Sequence, residues 1–260
     1  MRICLIGAGN LATRLGITLS EKGHQIVQVW SRTIKSATEL ASKLGCEYTT
    51  DLTSIASQTD IYIIAVTDAA IPTILAKGSW GSTLVVHTAG SIPMDILAPW
   101  CLNYGVFYPF QTFTAEKKID FDTIPVCLEA STPQNLEVLS ELARSVSGDI
   151  KFLDSDQRQQ IHLAAVFVCN FVNHFYAIGE ELLREKGIGF EILKPLILET
   201  ASKAILQSPG SSQTGPAVRD DKIIIDKHLT LLNTHPDLKN LYALISERII
   251  QTHKNYNGIF

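Results

Sequence analysis

Across residues 1–153, short apolar runs alternate with stretches whose apolar positions recur every three or four residues. That is the pattern of strands alternating with helices in an α/β domain with a mostly parallel sheet. Arg2–Ile6 and Gln25–Trp30 read as strands, and the nearly continuous apolar runs at 60–66 and 83–87 as central strands covered on both faces. Between the first two, Leu11, Leu15 and Leu19 share one helical face that stops near Gly23. Ser36-Ala-Thr-Glu39 has capping-box spacing and predicts a helix that ends before Gly45. Two further strands are expected at 106–110 and 124–128, where Pro109 and Pro125 mark strand ends or a sheet edge. Pro133 and Gly148 bracket a helix, and 149–153 closes the sheet.

The pattern changes after Leu153. Asp154-Ser-Asp156 is a helix start, and helical spacing then runs unbroken to Gly187, about 45 Å at 1.5 Å per residue. Further helices are expected at 190–207, 220–232 and 237–256, with a Gly/Pro/Ser-rich loop at 208–216. The chain therefore reads as an α/β domain at 1–153 followed by an all-helical domain at 154–260. Phe167, Phe171 and Phe175 recur every four residues on the long helix, a face that calls for a partner, and a homodimer through the C-terminal helices is the expected solution.

Composition narrows the function classes. With 46% hydrophobic and 18% charged residues the chain can bury a large core. A formal net charge of −4 gives no basic face for nucleic acid or an anionic membrane. No apolar run reaches the roughly 18 residues of a membrane span without a His, Asn or Glu, and Met1–Ile6 runs into a glycine turn without a cleavage site, so a cytoplasmic protein is expected. The five cysteines are widely spaced, with no paired framework and no metal clip, as in a reduced chain; Cys4 and Cys127 fall inside strands as small hydrophobes.

Gly7-Ala-Gly-Asn-Leu-Ala12 fits G-x-G-x-x-G/A between a strand and a helix. Gly7 permits the tight turn, Gly9 lets backbone approach a pyrophosphate, and Ala12 keeps the helix close to the sheet; Asn10 and Leu11 open the helix whose free N–H groups face the phosphates. This is a Rossmann-type unit. Where NAD-preferring domains carry an acid after the second strand, this chain has Trp30-Ser-Arg-Thr33. Ser31, Arg32 and Thr33 offer hydroxyls and a forked cation that suit a 2′-phosphate, so NADP is the expected cofactor; the alternative is an ordinary solvated arginine.

The ordered series Gly7-Ala-Gly-Asn-Leu-Ala12, Ala65-Val-Thr-Asp-Ala-Ala-Ile71, His87-Thr-Ala-Gly-Ser91, Tyr108-Pro-Phe-Gln-Thr-Phe113, His162-Leu-Ala-Ala-Val-Phe-Val-Cys-Asn170 and Thr214-Gly-Pro-Ala-Val-Arg-Asp220 resembles one family over nearly the whole chain. These are Rossmann-like proteins with a helical C-terminal domain of unknown function, often labelled deazaflavin-coenzyme-dependent NADP oxidoreductases, and related to pyrroline-5-carboxylate reductase and the β-hydroxyacid dehydrogenases. The resemblance implies an NADP-binding domain and a helical dimerisation domain, and names no substrate.

Ligands of open α/β sheets sit beyond the carboxyl ends of the strands. Val66, Thr67 and Asp68 follow one central strand and His87, Thr88 and Ser91 the next, so they are expected to flank the nicotinamide and its substrate. Asp68 is equally a plain helix cap, and His87 equally a satisfied buried histidine. On the long helix, His162 and Asn173 are eleven residues apart and share a helical face, with Asn170 at its border. Relatives among the β-hydroxyacid dehydrogenases carry a lysine and an asparagine on this helix, but no lysine occurs here between Gln157 and Glu185. His162 can take the proton-transfer role, or serve only as a capping or inter-helix residue. Arg219 is either a clamp for a substrate carboxylate or the salt-bridge partner of Asp220 or Asp221. No metal site is expected.

Two functions compete. One is an NADP(H)-dependent oxidoreductase moving hydride to or from a small, carboxylate-bearing carbonyl, imine or alcohol, with His162, His87, Asn170 and Asn173 as candidate catalytic residues. The other is a non-catalytic NADP(H)-binding sensor, for which the missing lysine speaks. A third option, hydride exchange with a deazaflavin, would need a broad aromatic-lined cleft.

Overall fold

The computed structural model describes residues 1–114 and 119–257. Its strands are β1 (Arg2–Ile6), β2 (Gln25–Trp30), β3 (Glu47–Thr49), β4 (Ile61–Ile64), β5 (Leu84–His87), β6 (Asn103–Pro109), β7 (Val126–Ala130) and β8 (Ile150–Phe152). They form one sheet in the order β3-β2-β1-β4-β5-β6-β7-β8, parallel throughout except for the antiparallel β6–β7 pair. The order turns back between β1 and β4, which places a topological switch point beside the glycine turn.

Side chains of β1 show why both faces are covered. Ile3 and Leu5 enter one core with Leu15, Leu19, Ile63 and Phe107, whereas Cys4 and Ile6 enter the other with Tyr62, Ile64, Leu75 and Trp80. This two-residue alternation, apolar on both sides, is what a continuous hydrophobic strand means in a doubly covered sheet. Helices α1 (Asn10–Glu21), α2 (Ile34–Leu44), α3 (Ile71–Lys77) and α4 (Pro133–Val146) supply the cover.

Three details differ from the sequence reading. Helix α2 starts earlier than Ser36, because the Thr33 hydroxyl accepts the Ser36 N–H and caps it. The short β3 was not anticipated: its three residues, Glu47-Tyr-Thr49, carry no clear alternation. Pro109 and Pro125 mark strand ends only, since β6 and β7 lie inside the sheet and β3 and β8 at its edges.

The long helix is built from α5 (Ser155–Ala165), a π-helical segment Val166–Phe171, and α6 (Val172–Arg184). Asp154 and Gln157 form a reciprocal capping box at its start. A π segment takes up about one residue more than an α turn, which rotates everything beyond it by roughly a quarter of a turn. His162 and Asn173 therefore do not share a face as straight α-helical spacing predicts. Helices α7 (Lys194–Leu206), α8 (Lys222–Leu231) and α9 (Pro236–Asn257) follow.

By its internal packing the chain forms two compact units, Met1–Asn173 and His174–Phe260. The change of sequence pattern at Leu153 marks where strands end; the first turns of the long helix nevertheless pack with the sheet. The run Ser155–Arg184 contains an 18-residue window of mean hydropathy 1.5, long and apolar enough by composition to cross a membrane, although His162, Asn170 and Asn173 interrupt it. All five cysteines are free thiols, with Cys4 and Cys127 buried in strands as expected.

Candidate functional site

The site begins at Gly7. Its φ of +129° lies in the region open to glycine, and a Cβ there would stand 2.1 Å from the Ala65 carbonyl oxygen. β1 can therefore turn directly over β4, with the Gly7 N–H bonded to the Trp30 carbonyl at 2.8 Å. Gly9 caps α1 without a side chain, and a Cβ on it would meet nothing within 4 Å: its bare backbone faces open space. The first turn of α1 carries no acidic residue and no capping side chain, so its N–H groups are free for an anion.

A cleft of about 910 Å³ opens here, lined by Gly7, Gly9, Asn10, Leu11, Ser31, Arg32, Thr33, Val66, Thr67, Asp68 and Thr88. Each of the eleven residues expected to contact the cofactor lies on it. Arg32 is exposed and pairs with no carboxylate among the described residues. Thr33 spends its hydroxyl on the α2 cap, and the Asn10 side chain donates to the Phe113 carbonyl at 3.1 Å. The bare glycine turn, the unshielded helix end and the unpaired Arg32 together fit a dinucleotide bearing an extra phosphate on its adenosine ribose.

At the other end of the cleft, polar groups gather around Gly90. The Asp68 carboxylate accepts the Ser91 hydroxyl, and the α3 start has no side-chain cap, so Asp68 is not the plain helix cap that sequence left open. On the far side of Gly90 the Tyr108 hydroxyl lies 3.1 Å from His162 Nδ1. Tyr108 sits on β6 and His162 on α5, so the pair is a product of the fold. Burial, with lesser contributions from Cys127 and Asp68, pushes the Tyr108 phenol up to about 12.

His87 is corrected as a candidate proton donor. Its ring is fully buried, Nδ1 accepts the Ala89 N–H at 3.2 Å, and Nε2 is sealed with no partner among the described residues. Burial first, then the Arg158 guanidinium, lowers its pKa to about 4, so at neutral pH it is uncharged and out of reach of a substrate.

Three residues that sequence reasoning missed, Arg158, Glu129 and Ser155, hold this end together. Arg158, 1% exposed, bonds Glu129 through Nη1 and the Ile92 carbonyl through Nη2 at 2.6 Å. Ser155 joins them, its hydroxyl 2.9 Å from Glu129 Oε2 and accepting the Met94 N–H at 2.9 Å. The only advance signal was that Arg158 stands four residues before His162 and shares its helical face. Asn170 and Asn173 are exposed, in the π segment and just after it, and make no side-chain hydrogen bond among the described residues. Arg219 belongs to the second unit and is exposed; Asp220 pairs with Lys254 at 3.1 Å and Asp221 caps α8, so the salt bridge that was the alternative reading of Arg219 is not formed.

Residues 2–90 match the family model described as NADP oxidoreductase, coenzyme F420-dependent, and residues 124–249 that of a domain of unknown function, DUF2520. Among solved structures, a protein of Bacteroides fragilis described as a candidate NADP oxidoreductase is 45% identical, with a TM-score of 0.91 over 96% of this chain and 98% of that one. A 1-pyrroline-5-carboxylate reductase of Streptococcus pyogenes shares the fold at 16% identity and TM-score 0.65, covering 96% and 98%. So does a reductive aminase of Aspergillus terreus, solved with NADPH and ethyl levulinate, at 15% identity and TM-score 0.73, covering 96% and 93%. No curated protein matches the chain.

Proposed function

The chain belongs to the NADP oxidoreductase family of its Bacteroides fragilis relative, and from that premise we propose that it reduces a small carbonyl or imine, preferring NADPH over NADH and taking the proton from His162. The observation that carries the reading is a single cleft with an anion-ready glycine turn and Arg32 at one end and a histidine–tyrosine pair near the other. Gly9 and the α1 N-terminus would hold the pyrophosphate, and Ser31 with Arg32 the 2′-phosphate. Bound NADPH would supply hydride. The protein's own part is to seat the substrate beside Ser91 and Asp68 and to deliver a proton from His162 to the heteroatom as the carbon is reduced. Arg219, in the second unit, is a candidate anion-binding residue, free of any acidic partner among the described residues.

The assembly we propose is a homodimer through the C-terminal helices. Phe167, Val168, Phe171 and Phe175 are 60%, 68%, 46% and 42% exposed, and Leu196, Leu198, Ile205 and Leu206 add to the uncovered apolar surface. Surface of this extent is normally covered, and a second copy is the simplest cover.

A sensor that binds NADPH without consuming it is the second reading, favoured by the missing lysine between Gln157 and Glu185. Mixing the protein and NADPH with a panel of small 2-oxo acids and cyclic imines separates the two. A reductase consumes the reduced nicotinamide with at least one of them; a sensor binds it and consumes none.

A further inference from the structure

We propose that Tyr108 is the positioning residue for the proton carried by His162: its hydroxyl donates to Nδ1 and fixes the imidazole in the tautomer that bears its proton on Nε2. The assignment of that proton to substrate rests on the reductase reading above, whereas the tautomer assignment does not.

Four observations converge on it. The Tyr108 oxygen is 3.1 Å from His162 Nδ1, and the two rings meet edge to face with centroids 6.3 Å apart. The phenol has no second hydrogen-bond partner among the described residues, so its proton has Nδ1 as its acceptor; the reverse arrangement, Nδ1–H donating to the phenol, would leave a half-buried O–H unused. Burial keeps that phenol protonated and able to donate. Nε2 of His162 has no protein partner among the described residues and is not among the atoms sealed from solvent, so it is the nitrogen left for a ligand.

The pair is also seated by design of the backbone. A Cβ on Gly90 would come within 2.7 Å of both His162 Nδ1 and the Tyr108 oxygen, so only a bare backbone lets the two groups meet. One turn earlier on α5, buried Arg158 fixes the helix to Glu129 and to the Ile92 carbonyl, which sets the height of His162 above β6.

The step balances as a two-proton relay. As hydride reaches the substrate carbon, the π pair of the C=O or C=N bond moves onto the heteroatom. That atom forms a bond to the Nε2 proton, the Nε2–H bond breaks, and Nδ1 takes the phenolic proton, so the ring ends neutral. An alkoxide or amide anion is a stronger base than a phenolate, so the transfer runs downhill; solvent then protonates Nε2 and the Nδ1 proton returns to the phenolate, which restores the starting tautomer.

The test uses full-length protein with ¹⁵N-labelled histidine, the His162 signals being those lost in His162→Gln. In wild type at a pH where the ring is neutral, nitrogen shifts should report Nε2–H; in Tyr108→Phe both tautomers should appear. Gly90→Ala, which pushes the pair apart while leaving both residues in the chain, should do the same and guards against a misfolded Tyr108→Phe. With an accepted imine or 2-oxo acid, Tyr108→Phe should lower kcat about ten- to a hundredfold with KM and NADPH affinity unchanged, the usual scale for a residue acting through another. A wild-type ring protonated on Nδ1, or a Tyr108→Phe variant with wild-type tautomer and kcat, overturns the proposal. If the tautomer is locked but no compound in the panel consumes NADPH, the tautomer assignment stands and the reductase reading falls.

Discussion

In the proposed reading Arg32 carries the choice of cofactor on one side chain, and nothing acidic at Ser31 or Thr33 opposes it. Arg32→Glu removes a charge-assisted contact to the 2′-phosphate and adds a repulsive one, so NADPH binding should weaken by about 2 to 4 kcal/mol while NADH is spared. Fluorescence titration of both nucleotides reads this, and equal wild-type affinities would contradict it. His87 makes a different prediction. Its pKa drops from the ordinary 6.5 to about 4 on folding, so between those values the unfolded chain binds more protons than the folded one. Stability should therefore fall as pH is lowered from about 6.5 to about 4, by up to about 3 kcal/mol from this group. In His87→Gln that part of the pH dependence of Tm should vanish; an unchanged profile would show that another group is responsible. At this scale sequence was informative where chemistry is local. Gly7 and Gly9 are legible because a phosphate turn needs them close together in the chain, and Arg32 because it follows directly on the second strand. Tyr108, Glu129 and Arg158 were not, because each gains its meaning from a residue at least 29 positions away.

Among the elements, β1, α1 and β2 read directly, since strand and helix periods there are clean and glycines punctuate them. Thr33 as the α2 cap was hidden behind a better-looking box at Ser36, and the π segment was invisible because apolar spacing continues through it. That segment explains why Asn173 is not on the His162 face, a conclusion that straight α periodicity could not reach. Helix α5 is tied to the sheet through Arg158 and Ser155, both bonded to Glu129 on β7. Removing one partner of a buried pair strands the other, so Arg158→Met should destabilise the protein by about 3 to 5 kcal/mol, while replacing both Arg158 and Glu129 by apolar residues should recover much of it. Denaturant unfolding of the single and double variants measures this; additive losses would mean the pair acts through something else.

The molecule as a whole leaves more apolar helix exposed than a monomer ordinarily would. Light scattering at micromolar concentration should give twice the chain mass, and Phe167→Glu with Phe171→Glu should give single chains that still bind NADPH. A wild-type monomer would contradict the dimer, and association only with detergent or vesicles would point to a membrane surface instead. The alternation of strands and helices, β3 apart, and the change to helices after Leu153 were readable; how two copies meet was not, because one sequence records only that a face is apolar. The central claim is that His162 supplies the proton in an NADPH-dependent reduction, and turnover by His162→Gln tests it most directly. With any compound that wild type reduces, kcat should fall by about two to four powers of ten while NADPH affinity holds. Wild-type turnover in that variant would contradict the account.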